Sequence, residues 1–262
     1  MPVDRLNHLA SVTHFVDDCR LLVHAPAAGA WNMAVDEALL EAAVSGGLPT
    51  LRFYQWNEPT LSLGYFQRFA DRGTHAASLG CPIVRRTTGG GAILHDRELT
   101  YSLTVPASHR LARRPAELYD RMHRSLVQAL EQLGAASQVL ATGADRGPLA
   151  EPFLCFQRRA SGDVVQAGAK IAGSAQRRHR GALLQHGSVL VETSRVAPEL
   201  PGLEQTSRVA LSPERLLEVW RAPLARELEL NLAPGELSAA EQLRADELVA
   251  EKFAAVAWTE KR

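Results

Sequence analysis

The amino-acid sequence predicts an α+β fold, a mainly antiparallel or mixed sheet with helices packed on it. Three observations carry this. Residues 164–192 alternate short strand-like pieces with turns at Gly168, Gly173, Gly181 and Gly187, the pattern of an antiparallel meander rather than of βαβ units. Residues 115–133 place Leu118, Met122, Leu126 and Leu130 on one helical stripe, with Pro115 suited to the first turn and Gly134 closing the helix. Residues 213–228 and 238–258 read as two further helices, the second opened by Ser238 and Glu241 as a capping box.

The other elements follow in order. Residues 1–19 are weakly periodic and are expected to form an N-terminal arm or a first short strand. In residues 31–44, Trp31, Ala34, Val35, Ala38, Leu39 and Ala42 recur at helical spacing, and Gly46-Gly47 stops the helix. Phe53, Tyr54 and Trp56 favour a strand over 51–56, and Pro59 breaks it before a second strand at 61–63. Residues 66–79 are expected to be helical and to end at Gly80. A strand over 82–86 runs into Gly89-Gly90-Gly91, with two more at 92–94 and 99–105. The best linker-like stretch, 198–213, is short. The 262 residues therefore read as one domain, 1–262, with no separate C-terminal accessory domain.

Composition narrows the function classes. Hydrophobic residues make up 46% and charged residues 22%, ordinary values for a globular chain. Lys plus Arg and Asp plus Glu are 29 each, so there is no basic surplus to argue for a nucleic-acid partner. No apolar run is long enough to span a bilayer, and the N-terminus lacks the apolar core of a secretory signal. Cys19, Cys81 and Cys155 are far apart, a poor pattern for disulfides or zinc. The expectation is a cytoplasmic protein with free thiols, no metal site and no membrane partner.

Three segments carry candidate chemistry. Arg85-Arg86-Thr87-Thr88-Gly89-Gly90-Gly91-Ala92-Ile93-Leu94-His95-Asp96 puts three glycines between two strands, where backbone can approach a ligand closely. Arg85 and Arg86 alternate across the strand, so only one faces a cleft. By itself the segment reads equally as a flexible hairpin with charged flanks. Lys170 lies in Gly168-Ala169-Lys170-Ile171-Ala172-Gly173-Ser174-Ala175-Gln176, among residues too small to pack its stem. That leaves either room for a ligand beside the ammonium or a surface lysine on a strand. Cys155 sits in Phe153-Leu154-Cys155-Phe156, a core thiol unless a cation lies beside it. The interval to Lys170 is long enough for two antiparallel strands and their turn.

Residues 85–96 resemble the RRxxGGGxVxHD signature of the lipoate–protein ligase A and octanoyltransferase family, with Ile93 in place of Val. Lys170–Ala175 is similar to its K-[IL]-x-G-S-A segment, Asn32-Met33-Ala34-Val35-Asp36-Glu37 to its early NMAxDE helix, and His186-Gly187-Ser188 to its later HG[ST] strand. Glu251-Lys252-Phe253 with Trp258 resembles the end of its catalytic domain. The motifs come in family order over residues 21–260. The resemblance implies a biotin/lipoate ligase-like catalytic domain.

Within the family, Cys155-Phe156 upstream of the Lys170 segment resembles the Cys-dependent octanoyl-carrier-protein:protein octanoyltransferases. Glu98-Leu99-Thr100-Tyr101-Ser102 agrees with that branch. Two positions depart from it. Gly91 stands where many transferases carry Arg, and Gln157 replaces an expected acidic residue. The resemblance implies catalytic roles for Cys155 and Lys170. It implies substrate-binding roles for Arg86, Thr88, Gly89, Gly90, Gly91, His95, Gly173, Ser174 and Ala175. His95 would orient a carbonyl or relay a proton, and backbone N–H groups near Gly173 and Ser174 would add to an oxyanion site. His186 is expected to be structural, and Cys19 and Cys81 inert.

The implied reaction moves an octanoyl or lipoyl group from acyl carrier protein, through a Cys155 thioester, to a lysine of a lipoyl-domain protein. Such acceptors are the glycine-cleavage H protein or the E2 subunit of a 2-oxoacid dehydrogenase. No cofactor is required, and a monomer is expected. The basic runs Arg158-Arg159 and Arg177-Arg178-His179-Arg180 are either solvated or meet an acidic carrier. The alternatives are an ATP- and magnesium-dependent lipoate ligase, and a non-catalytic binder of lipoyl-domain proteins. A biotin ligase is weaker still, because its GRGRxG-type loop is missing.

Overall fold

The structure, a computed structural model, describes residues 16–141 and 152–262. Its elements are β1 (Asp17–Val23), α1 (Gly29–Val44), β2 (Thr50–Tyr54), β3 (Thr60–Leu63), β4 (Ile83–Arg85), β5 (Ile93–His95), β6 (Glu98–Val105), α2 (Arg110–Arg113), α3 (Pro115–Gln132) and β7 (Gln138–Val139). There follow β8 (Val164–Gln166), β9 (Ala169–His179), β10 (Ala182–Leu190), α4 (Leu203–Ser207), α5 (Pro213–Leu228), β11 (Leu230–Pro234), α6 (Ala239–Leu248) and α7 (Val256–Thr259). Most of the arm expected at residues 1–19 lies outside the described residues, and its last three residues open β1.

Among the described residues, an eight-stranded sheet runs in the order β11-β1-β2-β6-β10-β9-β8-β7, and a small sheet in the order β4-β3-β5. β1 is parallel to β2 and β11, whereas β2-β6-β10-β9-β8-β7 is antiparallel throughout. The fold is therefore α+β with mixed sheets, as the sequence predicts. The alternation of each strand sends one set of side chains to each face. On one face Phe53, Tyr101 and Leu103 pack under α3 and α5, where the stripe Leu118, Met122, Leu126 and Leu130 is buried. Each such side chain contributes about 1.5–3 kcal/mol on burial. Trp220 of α5 meets Phe53 and Tyr101 edge-on, at 5.5 and 5.3 Å between ring centroids. On the other face α1 packs with α6 through Met33, Val35, Leu39, Ala245 and Leu248. No helix among the described residues is long and apolar enough to cross a membrane.

Three expectations need correction, and one strand was not expected. Residues 66–79 form two short 3₁₀ turns, Phe69–Thr74 and Ala76–Ser78, rather than a helix. Only Ser78 is buried across both turns, so no apolar face exists to hold a helix against the core. The last helix breaks at a π-turn, Val249–Phe253, which lets Phe253 turn inward and meet Trp258 at 6.1 Å. Residues 198–213 are no linker. α4 lies within them, with Leu203 fully buried and the Glu204 N–H donating to the Val191 carbonyl. β11 went unread because Leu230 is its one buried residue and its pairing to β1 spans the whole domain.

Candidate active site

α1 and the two sheets line a small cavity of about 60 Å³. Met33, Tyr54, Ile93 and Phe156 give it an apolar lining. Nine predicted site residues also reach its wall: Arg86, Gly89, Gly90, His95, Cys155, Lys170, Gly173, Ser174 and Ala175. Thr88 and Gly91 do not. Thr88 stands behind the wall, 2.7 Å from His186 Nε2. A Cβ on Gly91 would lie 3.3 Å from the Cys155 backbone, so this glycine lets the thiol segment approach.

Cys155 is held by its backbone. Its N–H donates to the Ala92 carbonyl at 2.7 Å, and the Ala92 N–H donates to Phe153. The thiol thus hangs from the strand after the glycine turn, on a 3₁₀ turn rather than on a strand. Lys170 comes from β9, and its Nζ lies 3.6 Å from Cys155 Sγ. A Cβ on Gly173 would fall 2.5 Å from Lys170 Cε and 2.8 Å from Nζ, so glycine is what leaves space for the ammonium.

Charge distinguishes Cys155 from the other thiols. Burial raises it, but Lys170, then Arg86 and Arg158, outweigh burial and hold it below the usual thiol range. Burial instead pushes Cys19 up to about 12, and it also raises Cys81. The two departures from the transferase pattern do not disturb this. Arg158 places a guanidinium nitrogen 3.2 Å from where a Gly91 Cβ would be, so a cation is supplied there from another position. Gln157 points away, to Glu199 at 3.5 Å.

Of the two arginines before the glycine turn, Arg86 faces the cavity, as alternation requires. It donates to the carbonyls of Ser62, Gly89 and Gly91, which fixes the turn from inside. Burial lowers it to about 10. Gly90 takes φ +94°, a left-handed conformation that favours glycine. Arg85 faces the opposite way and binds carbonyls of Gly64, Gln67 and Thr259.

His95 stacks on Trp56 at 3.8 Å, and its Nδ1 lies 2.6 Å from Glu98 Oε1. Thr100 and Ser188 donate to the same oxygen. His95 Nε2 has no partner among the described residues. Burial, opposed by Glu98, lowers His95, which favours the neutral ring.

Sequence reasoning missed two features. The first is a buried polar cluster around Asp36 of α1. Its carboxylate accepts from Arg52, Ser102, Tyr54 and His186 at 2.7–3.1 Å. Asn32, one turn earlier, accepts from Arg52 at 2.8 Å. This explains the Asn and Asp of the early helix motif. Both ring nitrogens of His186 are engaged, so it is a satisfied histidine, as expected, although it also lines the cavity. The second is Asp163, whose Oδ2 lies 2.9 Å from Lys170 Nζ. It is the one acidic residue between Cys155 and Lys170, a signal the sequence did carry. The basic run at 177–180 turns the β9–β10 hairpin, with Arg177 and Arg178 donating to the carbonyls of Thr87 and Ala112.

An α+β domain with an apolar cavity and a thiol–ammonium pair on its wall has the chemical setting of acyl transfer or acyl ligation. The comparisons agree. A model of the lipoyl protein ligase A/B catalytic domain matches residues 28–213. Octanoyltransferase LipM of Kyrpidia tusciae is 37% identical over 271 residues, covering 93% of this chain and 98% of its own. That of Carboxydothermus hydrogenoformans is 34% identical, covering 91% and 97%. The fold is that of the Thermoplasma acidophilum protein Ta0514, solved with bound lipoic acid. Its TM-score is 0.77 at 22% identity, covering 93% of this chain and 99% of that one. The chain belongs to the lipoyl protein ligase A/B catalytic domain family. Within it, the two relatives named here, each matched over nearly its whole length, are octanoyltransferases.

Proposed function

We propose that this chain is an octanoyl-[acyl-carrier-protein]:protein N-octanoyltransferase that works through a Cys155 thioester. The observation that carries the reading is Cys155 Sγ at 3.6 Å from Lys170 Nζ on the wall of an apolar cavity. The Cys155 thiolate attacks the carbonyl carbon of a carrier thioester. The S–C bond to Cys155 forms, the bond to the carrier sulfur breaks, and the carrier leaves as a thiolate that takes a proton from solvent. The neutral amine of a lipoyl-domain lysine then attacks the Cys155 thioester. An N–C bond forms, the C–S bond breaks with its electron pair returning to Sγ, and the nitrogen loses a proton.

Thioester exchange is close to isoenergetic, and amide formation from a thioester is downhill, so the cycle needs neither ATP nor magnesium. Lys170 favours the thiolate and stabilises negative charge developing on the acyl oxygen. The lining of Met33, Tyr54, Ile93 and Phe156 takes the acyl chain. The ATP-dependent ligase has no use for a thiol held toward its anion. A non-catalytic binder has none for a nucleophile–cation pair.

The test supplies octanoyl-acyl carrier protein and an apo lipoyl domain, with and without ATP. Octanoylation of the lipoyl-domain lysine in the absence of ATP supports the transferase. Modification only with free octanoate, ATP and magnesium overturns it.

A further inference from the structure

Lys170 has two anionic partners, and only one of them survives the first half of the reaction. Its Nζ is 3.6 Å from the Cys155 sulfur and 2.9 Å from Asp163 Oδ2. Lys170 and Asp163 are both almost wholly buried, at 6% and 2% exposure. A buried ammonium without a counter-charge is strongly unfavourable. In the resting enzyme the thiolate supplies one such charge. During acylation that charge passes to the acyl oxygen and then leaves with the carrier sulfur. In the acyl-enzyme Cys155 is a neutral thioester, and the carboxylate of Asp163 is what remains beside the ammonium.

Asp163 is built to stay in place through this change. Its Oδ2 accepts the Ala160 N–H at 2.7 Å, its own N–H donates to the Ala160 carbonyl, and its carbonyl accepts the Leu140 N–H. The turn before it is anchored from α3, where His123 Nδ1 lies 2.5 Å from the Gly162 carbonyl. His123 Nε2 is in turn 2.6 Å from Ser174 Oγ on β9, the strand that carries Lys170. Carboxylate and ammonium are thus held by elements braced against each other, independently of the thiol.

We infer that Asp163 is a positioning residue that holds the Lys170 ammonium in place in the acyl-enzyme, so that it serves the attack of the acceptor amine. The inference rests on the Cys155 thioester reading. It separates the two half-reactions. The first begins with a thiolate beside Lys170 and is little affected by loss of the Asp163 carboxylate. The second begins with no charge on Cys155 and depends on it.

The experiment measures both halves by rapid quench and intact mass, using octanoyl-acyl carrier protein as donor and an apo lipoyl domain as acceptor. For Asp163→Asn, the acyl-enzyme is expected to form within about threefold of the wild-type rate. Its transfer to the lipoyl-domain lysine is expected to slow about 100-fold, the scale of losing one preorganised charge contact. Asp163→Glu should recover a good part of the second rate. Alkylation of Cys155 in Asp163→Asn should be no slower than in the wild type, because Asp163 opposes the thiolate; a collapsed site would slow it. Equal losses in both halves, or an unchanged second half, overturn the role of Asp163 while leaving the thioester intact. Absence of an acyl-enzyme in the wild type overturns both readings.

Discussion

The Lys170 ammonium lies 3.6 Å from the Cys155 sulfur, and among the described residues no backbone hydrogen bond links their two segments directly. Cys155 hangs from Ala92 after the glycine turn, and Lys170 projects from β9. The charge relationship between them is therefore made by side chains and can be removed without cutting the backbone. Lys170→Met should raise the midpoint of Cys155 alkylation against pH, since the first-ranking cation holding the thiol down is gone. Turnover should fall by roughly 10²–10³, the loss typical of one oxyanion-stabilising donor. An unchanged alkylation profile would remove Lys170 from the mechanism.

Gly173 tests the same relationship sterically. An alanine there would put Cβ 2.8 Å from Lys170 Nζ and 2.5 Å from Cε. The lysine stem is flexible and can give way, so Gly173→Ala should keep its thermal midpoint within a few degrees. Because the displaced ammonium leaves Cys155, activity should fall at least tenfold and the alkylation midpoint should rise. Retained activity would show that the ammonium does not need this position.

The elements that bury a regular stripe were legible in the sequence. α3 announced itself through Leu118, Met122, Leu126 and Leu130, and the β8–β10 meander through its glycines. Residues 66–79 read as a helix ending at Gly80, yet Phe66 and Leu79 are exposed. Local spacing cannot tell whether a surface waits to cover a stripe. Cys155, Lys170 and most of the glycine-turn residues were singled out through the family resemblance, and the fold brings nine of the eleven predicted site residues to one cavity wall. The Asp36 cluster was not, since its members Asn32, Arg52, Tyr54, Ser102 and His186 come from four elements and meet only in the folded sheet.

That cluster should govern acid stability. Burial raises the Asp36 carboxyl, but His186, Arg52 and Ser102 outweigh it and hold it below the usual carboxylate range. As pH falls through about 4 the unfolded chain binds the proton first, so the stabilisation present above that pH is progressively lost as pH drops toward the folded-state value. Asp36→Asn should flatten this dependence in urea unfolding curves measured between pH 3 and 7. At neutral pH it leaves Arg52 buried without its counter-charge, which costs about 3–5 kcal/mol. A variant as stable as the wild type at pH 7 would show that Arg52 finds another partner.

The neutral state of His95 gives a second pH signature. Burial lowers it against the pull of Glu98. A lowered histidine contributes stability that is present above its unfolded value of about 6.5 and lost as pH falls. His95→Phe keeps the stacking on Trp56 and cannot titrate. Its stability should vary less between pH 7 and 5 than that of the wild type, and an equal slope would contradict the neutral ring.

The most direct measurement is an intact mass spectrum of the purified chain after incubation with octanoyl-acyl carrier protein and no ATP. The account predicts one octanoyl adduct, labile to hydroxylamine, mapping to Cys155, and absent from Cys155→Ala while Cys19 and Cys81 remain. A wild-type chain that stays unmodified, together with a Cys155→Ala variant that still transfers the acyl group, would contradict it.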